Sequence, residues 1–303
     1  TDTSTSTTVY TSTPAVKSNT EYSLSESDIP GYTEGVWSCV DDTDSSVVVS
    51  GMPFILNEGQ HVTCTVVNDD VAPKLKLQKV VSNREDLPDD LKKNANSWTV
   101  EARGTDGTVI SGFGSVESGS NLKAQEYTLS EVGNMTGYSS NGWSCTGGGT
   151  LYGENNNKIM LSVGQEVACT ITNTSTYGKV TIKKVTDPNS DSTTSFDFTG
   201  NIWSGAKSLK NGETIVTYVI PGNYNVEESS INGWVLSGIS CNDTDSGTDS
   251  TNSRKVSINV SNGEDVLCTF TNTKLGKIHG YKYEDKDGDG TRDDDESGIK
   301  DWS

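Results

Sequence analysis

Basic residues, histidines and apolar residues are scarce in this sequence, and each shortage excludes a class of protein. The 303 residues include 23 Lys and Arg against 42 Asp and Glu, for a net charge of -19. This balance leaves no basic surface for nucleic acid or an anionic membrane. Hydrophobic residues make up 31%, too few for one large core but enough for several small β domains. No apolar run approaches the roughly 18 residues of a transmembrane helix. With two histidines and scattered acids, we do not expect an enzyme.

One sequence pattern recurs along the chain. A copy begins with KLKLQKVV at Lys74 and ends with CTITNT, and the next begins with KVTIKKVT at Lys179 and ends with CTFTNT. The head, residues 1–73, lacks the beginning of the pattern, whereas the tail, residues 276–303, contains only a beginning. Head and tail together have the length of one repeat, which predicts two halves of one domain. Since no initiator Met, signal peptide or sorting signal is visible, we expect a processed product or a segment of a longer protein.

Each repeat has the pattern of β structure. Short segments such as KVTIKKV and LCTFTN alternate apolar with polar residues and are separated by Gly, Asn, Ser and Asp. Repeats of about 100 residues with this pattern favour an all-β fold of tandem Ig-like antiparallel sandwiches. The start, TDTSTSTTVYTST, fits either strands or a disordered linker, and the repeat alignment favours strands. We predict sandwiches at 1–73 (incomplete), 74–175 and 176–275, with 276–303 completing residues 1–73 of a neighbouring copy.

The six cysteines fall as one pair in each repeat. Close pairs such as C-x-x-C, which zinc sites use, are absent, so disulfides within repeats are the better interpretation. Each would close a loop of about 25 residues, stabilise its domain by about 3 kcal/mol and place the protein outside the cytoplasm. Sequons at Asn134, Asn242 and Asn259 agree with a secreted, glycosylated surface. The predicted bonds are Cys39–Cys64, Cys145–Cys169 and Cys241–Cys268.

An acidic segment in the tail, residues 285–296, has the spacing of a calcium-binding loop. DKDGDGTRDDDE places oxygen ligands at loop positions 1, 3, 5, 7, 9 and 12 and puts Gly290 at the sharp turn of position 6. The alternative is a solvated acidic run, which rarely combines that glycine with Glu296 at position 12. We expect calcium to hold Lys277–Tyr283 against a strand from Ile299. The predicted ligands are Asp285, Asp287, Asp289, the carbonyl of Thr291, Asp293 and Glu296.

A Lys, a Glu and an Asn recur at positions that the two-residue period of a strand turns toward the core. Lys79, for example, shares a strand face with Leu75 and Leu77. An apolar site lowers the pKa of Lys and raises that of Glu, which leaves a neutral amine beside a protonated acid. In that state the amine attacks an Asn carboxamide while the Glu carries protons. The alternative is that the Lys side chains reach solvent at strand ends and the Asn satisfies a turn.

The pattern GW…C…G(Q/E)xVxCTxTN resembles the prealbumin-like (SpaA-type, collagen-adhesin B-type) domains of prokaryotic cell-surface proteins, over residues 1–275. The tail resembles the start of the calcium-binding B domains of serine-aspartate-repeat adhesins. The resemblance implies stalk or fibre modules, and it implies isopeptide crosslinks between a Lys on the first strand and an Asn on the last. The trios it implies are Lys79–Glu131–Asn173, Lys184–Glu228–Asn272 and, across the chain ends, Lys282–Glu26–Asn68.

The expected function is that of a structural subunit in an extracellular, pilus-like prokaryotic filament. If the tail of one copy adds strands to the head of the next, the contact propagates into an open fibre with calcium at each junction. One alternative is a period or stalk segment of a long cell-surface adhesin. Another is a carbohydrate-binding adhesin module, which needs exposed aromatic residues. The expected partners are other copies of the chain and glycans, without nucleic acid or direct membrane insertion.

Overall fold

The computed structural model describes residues 15–43, 45, 47–50, 52–248 and 253–300. In these residues the chain forms short strands and a single 3-10 helix, Ala95–Ser97, which confirms the predicted all-β fold. None of the helical structure in this part of the chain has the length and apolar character needed to cross a membrane. The segment TDTSTSTTVYTST lies outside the described residues, so the strand interpretation of it stays a prediction.

The head forms three small sheets from seven short strands. They are β1 (Glu21–Tyr22), β2 (Tyr32–Thr33), β3 (Ser38–Asp41), β4 (Val47–Ser50), β5 (Phe54–Ile55), β6 (Val62–Thr65) and β7 (Asp69–Asp70). β3 lies between β4 and β6, β1 pairs with β5, and β2 pairs with β7, all antiparallel. Among the described residues the buried apolar core is small and consists of Cys39, Phe54 and Leu56.

The second repeat is a two-sheet sandwich of nine strands. They are β8 (Lys74–Ser82), β9 (Thr99–Gly104), β10 (Val109–Phe113), β11 (Ser115–Glu117), β12 (Glu126–Val132), β13 (Tyr138–Thr146), β14 (Leu151–Tyr152), β15 (Lys158–Met160) and β16 (Glu166–Ser175). One sheet has the order β10-β9-β12-β15-β14 and the other β11-β8-β16-β13. Alternate side chains of facing strands, such as Leu77, Val100 and Leu129, fill the space between the sheets.

The third repeat has the same plan. Its strands are β17 (Gly178–Asp187), β18 (Phe196–Gly200), β19 (Lys207–Leu209), β20 (Thr214–Val219), β21 (Gly222–Glu228), β22 (Trp234–Cys241), β23 (Gly247–Thr248), β24 (Lys255–Val260) and β25 (Asp265–Lys274). The two sheets have the orders β20-β17-β25-β22 and β19-β18-β21-β24-β23. Its core is the largest in the described chain and includes the edge-to-face pair Phe198 and Phe270.

Each complete sandwich has one parallel strand pair in an otherwise antiparallel arrangement. The first strand pairs with the last, β8 with β16 from Lys74↔Glu166 to Ser82↔Thr174, and β17 with β25 in the same way. Burial alternates along these strands, as the two-residue period predicts. The first and last strands of a complete repeat are therefore direct neighbours in the middle of a sheet.

The tail forms less regular structure than the sequence predicts. Lys277–Tyr283 is expected to be a strand, but the structure has one isolated antiparallel bridge, Tyr283↔Gly298, supported by a hydrogen bond from Ile299 N to Lys282 O of 3.1 Å. Two chain segments without an apolar surface to cover form at best a marginal ribbon in water. Ile278 in the tail is fully exposed, so the described tail residues do not pack against it.

Two compact units make up the chain, and their limits differ from those of the repeats. The first extends to Ser82 and includes Lys93–Met135 and Ser140–Thr174, so the head belongs to the same unit as most of the second repeat. The second contains Asn83–Lys92, Thr136–Ser139 and the residues from Ser175 onward. The predicted limits 74–175 and 176–275 enclose the two complete strand sets, but the independence of the four predicted segments stays a prediction.

Candidate functional site

The structure brings the first predicted trio together inside the second repeat. Lys79 on β8, Glu131 on β12 and Asn173 on β16 extend into the space between the two sheets, beyond the last layer of apolar side chains. Lys79 Nζ lies 3.0 Å from Glu131 Oε2, and Asn173 Nδ2 donates a 2.6 Å hydrogen bond to Glu131 Oε1. The Lys79 side chain has no solvent exposure, so the interpretation that it reaches solvent is wrong for this residue.

The second trio has the same arrangement in the third repeat and is buried completely. Lys184 Nζ lies 3.0 Å from Asn272 Oδ1 and 3.5 Å from Glu228 Oε2, and Asn272 Nδ2 donates to Glu228 Oε1 at 2.6 Å. Lys184 Nζ also donates to the carbonyl oxygens of Val185 and Phe270. In each trio the Glu carboxylate thus contacts both the Lys amine and the Asn carboxamide, and in the third repeat the amine also contacts the carboxamide.

Burial shifts the pKa of both amines downward. Desolvation lowers the pKa of Lys184 to about 8, and the nearby Glu228 carboxylate opposes the shift. Desolvation also lowers the pKa of Lys79, against the opposing hydrogen bond to Glu131. A lower amine pKa increases the fraction of the neutral form, which is the nucleophilic one.

Each trio has the atoms that an amide-forming reaction needs. In the second repeat, Lys79 Nζ would give one proton to Glu131 and form a bond to Cγ of Asn173. The Cγ–Nδ2 bond would break, and a second proton would pass from Nζ to Nδ2 through the Glu131 carboxyl group, so that ammonia leaves. Glu131 contacts both Lys79 and Asn173, which is the placement that a proton carrier between them requires.

Three side chains at these sites were not identified from the sequence. The Trp98 ring lies 5.0 Å from Lys79 Nζ, and the Phe196 ring lies 4.3 Å from Lys184 Nζ. The Arg254 guanidinium lies 3.1 Å from Glu228 Oε1. Of these three residues, only Trp98 recurs at the same place in another copy of the repeat, at Trp302. Such recurrence indicates a core position.

The third predicted trio is divided between the two compact units. Glu26 and Asn68 are half-buried residues of the first unit, and Asn68 Oδ1 accepts a hydrogen bond from Gly35 N at 3.3 Å. Lys282 is an exposed residue of the second unit. Their association stays a prediction.

In the acidic loop of the tail, three of the six predicted calcium ligands lie close together. The carboxylates of Asp285, Asp287 and Asp289 each offer an oxygen within 4.8 Å of the other two. Asp285 accepts hydrogen bonds from Gly288 N at 2.7 Å and Gly290 N at 2.9 Å, and both glycines have positive φ, 76° and 78°. The bond from Gly290 N is the largest of the effects that lower the pKa of Asp285.

Glu296 is the last residue of this loop. Although it is an acid, it is buried, and its two carboxylate oxygens accept hydrogen bonds from Lys286 N at 2.8 Å and Asp293 N at 3.1 Å. Thr291 donates from its backbone N and its Oγ1 to Asp289 Oδ1, at 2.7 Å and 2.5 Å. Hard oxygen donors held on a compact loop fit Ca²⁺, which takes six to eight such ligands.

The other predicted site residues are the cysteines and the sequon asparagines. The three disulfides Cys39–Cys64, Cys145–Cys169 and Cys241–Cys268 are present. Asn134 is exposed, whereas Asn242 Nδ2 donates to Asp265 O and Asn259 Nδ2 donates to Asp245 Oδ2. A further acidic group, which the sequence analysis missed, consists of Asp243, Asp245 and Glu264.

The head has an open groove of about 750 Å³ that is lined by both apolar and polar side chains. Its wall includes Tyr22, Leu24, Trp37, Phe54 and Val62, which come from both sides of the incomplete sandwich. In the two complete repeats the corresponding interior is closed and filled by apolar side chains. Among the described residues, the head thus has an open groove where each complete repeat has a filled interior.

The tryptophans do not form an exposed platform in the described residues. Trp98 is buried with 1% exposure and Trp234 with 9%, while Trp37, Trp143 and Trp203 are half-buried. A stacking surface for a sugar needs an accessible ring face, so these five residues do not favour the carbohydrate-binding alternative.

Comparison with known proteins gives family matches over most of the chain. Two family models of the SpaA type, each described as a prealbumin-like fold domain, match residues 1–66 with 70–171 and residues 180–274. A sequence comparison with curated proteins gives no match.

Several solved structures are similar in fold at low identity. One is the Bacillus anthracis TIE protein, with 13% identity and a TM-score of 0.30, covering 80% of this chain and 51% of that one. The major pilin from Streptococcus pyogenes has 13% identity and a TM-score of 0.31, with 68% and 99% covered. The pilus adhesin SpaC from Lactobacillus rhamnosus GG, in its open conformation, has 11% identity and a TM-score of 0.30, with 85% and 43% covered. The chain thus spans about half the length of the TIE protein.

Proposed function

Because this chain belongs to the SpaA-type prealbumin-like fold family, we propose that it is a structural subunit of an extracellular filament in which copies join head to tail. The observation that carries the proposal is that one edge of β6 in the head has no paired strand among the described residues. In the complete repeats, the last strand, which carries the second cysteine, lies between the strand with the first cysteine and the first strand of the repeat. In the head, β6 pairs with β3 alone among the described strands.

The missing neighbour of β6 corresponds to the strand that the tail encodes. β3 and β6 carry Cys39 and Cys64, as β13 and β16 carry Cys145 and Cys169, so the vacant place beside β6 is that of β8. The tail begins with GKIHGYKYE, the counterpart of the β8 segment KLKLQKVV. Strand addition at a free edge satisfies backbone groups on both partners and gives the added segment its register.

Apolar surface on both partners favours the same contact. The groove beside β6 is lined by residues such as Leu24 and Phe54, and the tail presents Ile278 at full exposure and Tyr281 at 85%. Ile278 occupies the position that Leu75 occupies in β8, where it is buried. Covering such side chains stabilises association by about 25 cal/mol for each Å² of apolar surface removed from water.

Calcium in the loop 285–296 would hold the two halves of the tail together at the junction. Without a cation, the neighbouring carboxylates of Asp285, Asp287 and Asp289 repel one another, and a bound Ca²⁺ removes that repulsion. The bridge between Tyr283 and Gly298 flanks this loop, so a fixed loop presents a more ordered strand to the head.

Isopeptide crosslinks are the covalent part of the proposal. The trios of Lys79 and Lys184 would each join the first strand of a repeat to the last. A third bond, between Lys282 of one copy and Asn68 of the next with Glu26 as proton carrier, would make the junction itself covalent. Three disulfides support an oxidising, extracytoplasmic location for such a fibre.

Light scattering after size exclusion tests the assembly. The expected molar mass rises with protein concentration and falls on addition of EDTA. Ile278→Ser in the tail and Leu24→Ser in the groove should each abolish growth, whereas Phe113→Ser, which removes an exposed apolar side chain from the second repeat, should not. An equimolar mixture of the Ile278→Ser and Leu24→Ser chains should stop at a dimer, because one intact junction remains.

A monomer at every concentration, unaffected by EDTA, would contradict the filament and favour a stalk segment of a continuous surface protein. Boiling the assembled sample in SDS separates the two kinds of junction. A ladder of multiples indicates a covalent Lys282–Asn68 bond, and a single band indicates junctions held by strand pairing alone.

A further inference from the structure

Arg254 makes the trio of the third repeat chemically different from that of the second. The Arg254 guanidinium donates through Nη2 to Glu228 Oε1 at 3.1 Å, and this oxygen also accepts from Asn272 Nδ2. Arg254 Nε donates to Glu228 O at 2.8 Å, and Nη2 also donates to Ser229 O at 2.6 Å. These contacts fix the guanidinium against a carboxylate that has no solvent exposure.

Strand register explains why Arg254 is at this place. β24 begins at Lys255, opposite Glu227 of β21, and Glu228 N donates to Arg254 O at 3.0 Å. In the second repeat the corresponding pairing of β12 with β15 ends at Thr128, three residues before Glu131. Among the described residues no arginine contacts Glu131, and the carboxylate of Glu131 has Lys79 as its cationic partner.

The two arrangements differ in the step that the proposed crosslink needs first. That step moves a proton from the Lys ammonium to the Glu carboxylate. A guanidinium in contact with the carboxylate stabilises its ionised form and so opposes the transfer. Arg254 also repels the Lys184 ammonium and so lowers the pKa of Lys184, but this effect is smaller than those of burial and of Glu228.

The charge left after the reaction differs as well. When Lys becomes a neutral amide, Glu131 loses its cationic partner and keeps the proton, because a buried carboxylate without a counterion is costly. Glu228 retains Arg254 as a counterion, so its proton leaves with ammonia as ammonium. Arg254 therefore favours an ionised Glu228 both before and after bond formation.

We propose that Arg254 is a positioning residue that keeps Glu228 ionised and thereby makes the Lys184–Asn272 crosslink form more slowly than the Lys79–Asn173 crosslink. This inference rests on the proposed crosslinking. Within the described part of the chain, Lys184 and Arg254 are the two charged groups in contact with Glu228.

A pulse–chase experiment on the full chain measures both bonds in the same molecules. Newly made protein is labelled with a short pulse of heavy-isotope lysine, and samples from the chase are digested and analysed by mass spectrometry for the two crosslinked peptide pairs. In the wild type, the Lys79–Asn173 pair should appear first. Arg254→Gln should accelerate the Lys184–Asn272 bond about tenfold, which corresponds to about 1.4 kcal/mol of lost stabilisation of the ionised carboxylate, and leave the other bond unchanged.

Two further variants separate charge from structure. Arg254→Lys retains a cation and should behave as the wild type. Arg103→Gln removes an arginine that pairs with Glu101 at 2.9 Å on the surface of the second repeat, and it should change neither rate. An unchanged Lys184–Asn272 rate in Arg254→Gln, or an equal acceleration in Arg103→Gln, would overturn the inference.

Titration of the Glu228 side-chain carboxyl carbon by NMR distinguishes failure of the inference about Arg254 from failure of the proposed crosslinking. If neither bond forms, the proposed crosslinking is wrong and the statement about rates falls with it. The protonation midpoint of Glu228 should still rise in Arg254→Gln relative to Arg254→Lys. Equal midpoints in the two variants would show that Arg254 does not control the ionisation of Glu228.

Discussion

Lys184 Nζ lies 4.3 Å from the centre of the Phe196 ring, so the buried amine faces an aromatic surface as well as Glu228. Trp98 has the same relationship to Lys79, at 5.0 Å. An aromatic face attracts a cation and at the same time excludes water from it. In both complete repeats the amine is therefore desolvated on one side and held by polar groups on the other, which is the environment that a controlled change of protonation requires.

The intact mass of the folded chain is the first prediction. Each crosslink removes one ammonia, so we expect the mass to lie below the sequence mass, after the disulfides are counted, by two ammonia molecules for the trios of Lys79 and Lys184. Lys79→Arg should restore one of them. Lys76→Arg, on the exposed side of the same strand, should restore none. A mass equal to that of the disulfide-bonded chain would contradict both crosslinks.

The stability of an uncrosslinked third repeat should increase in mildly alkaline solution. Asn272→Ala prevents the bond and leaves Lys184 free to titrate. Because burial lowers the folded-state pKa of Lys184 to about 8 from 10.5, the unfolded state binds more protons between these values. The cost of burying the ammonium is thus present below about pH 8 and decreases as the pH rises toward 10.5.

Urea denaturation across this pH range, with Asn272→Ala alone and combined with Lys184→Met, measures the effect. The free energy of unfolding should rise with pH in the first variant, and the rise should be smaller in the second. Parallel curves in the two variants would mean that Lys184 is protonated equally in the folded and unfolded states.

Calcium binding should depend on the carboxylates that converge in the tail loop. Asp287→Ala removes one of the three carboxylates that approach one another, and we expect it to abolish binding in isothermal titration calorimetry. Asp294→Ala removes a neighbouring exposed acid outside the predicted ligand positions and serves as the control. A dissociation constant of about 10⁻⁴–10⁻³ M is typical of extracellular sites. Equal loss of affinity in both variants would indicate a diffuse effect of charge.

The disulfide of the second repeat should contribute substantially to its stability. Replacing Cys145 and Cys169 together with alanine opens a link between residues 24 apart in sequence and should cost about 3 kcal/mol. Hydrogen exchange in peptides from Thr99–Gly104 reports opening of this repeat. Peptides from Gly222–Glu228 in the third repeat are the internal control. Unchanged protection in β9 would mean that other interactions already hold the repeat closed.

The sequence predicts most of the site residues because they follow strand periodicity. Lys79, Asn173 and Glu228 are two-residue steps away from apolar core positions, and the structure buries them as that period implies. The disulfides could be predicted because each repeat contains one pair of cysteines in the same sequence context. Repetition makes these patterns visible, because an accidental charge at a core position would not recur.

Features that depend on register across strands could not be predicted in this way. Arg254 contacts Glu228 because β24 extends far enough to lie beside the end of β21, and no sequence period encodes that overlap. The ring that faces the buried lysine is Trp98 in the second repeat and Phe196 in the third. The sequence does not show that these two different residue types have the same contact. The strand expected at Lys277–Tyr283 forms only one bridge, because strand structure there requires a neighbour that the sequence pattern does not supply.

The parallel pairing of the first and last strands has a mechanical consequence. When tension acts on a repeat through Lys74 and Ser175, the two ends pull β8 and β16 past each other along their length. The hydrogen bonds between them then resist in shear, all together, instead of opening one at a time as in a hairpin pulled apart from its open end. A covalent link between Lys79 and Asn173 would carry the load directly from the entering strand to the leaving one, so the rest of the sandwich would experience little of the force.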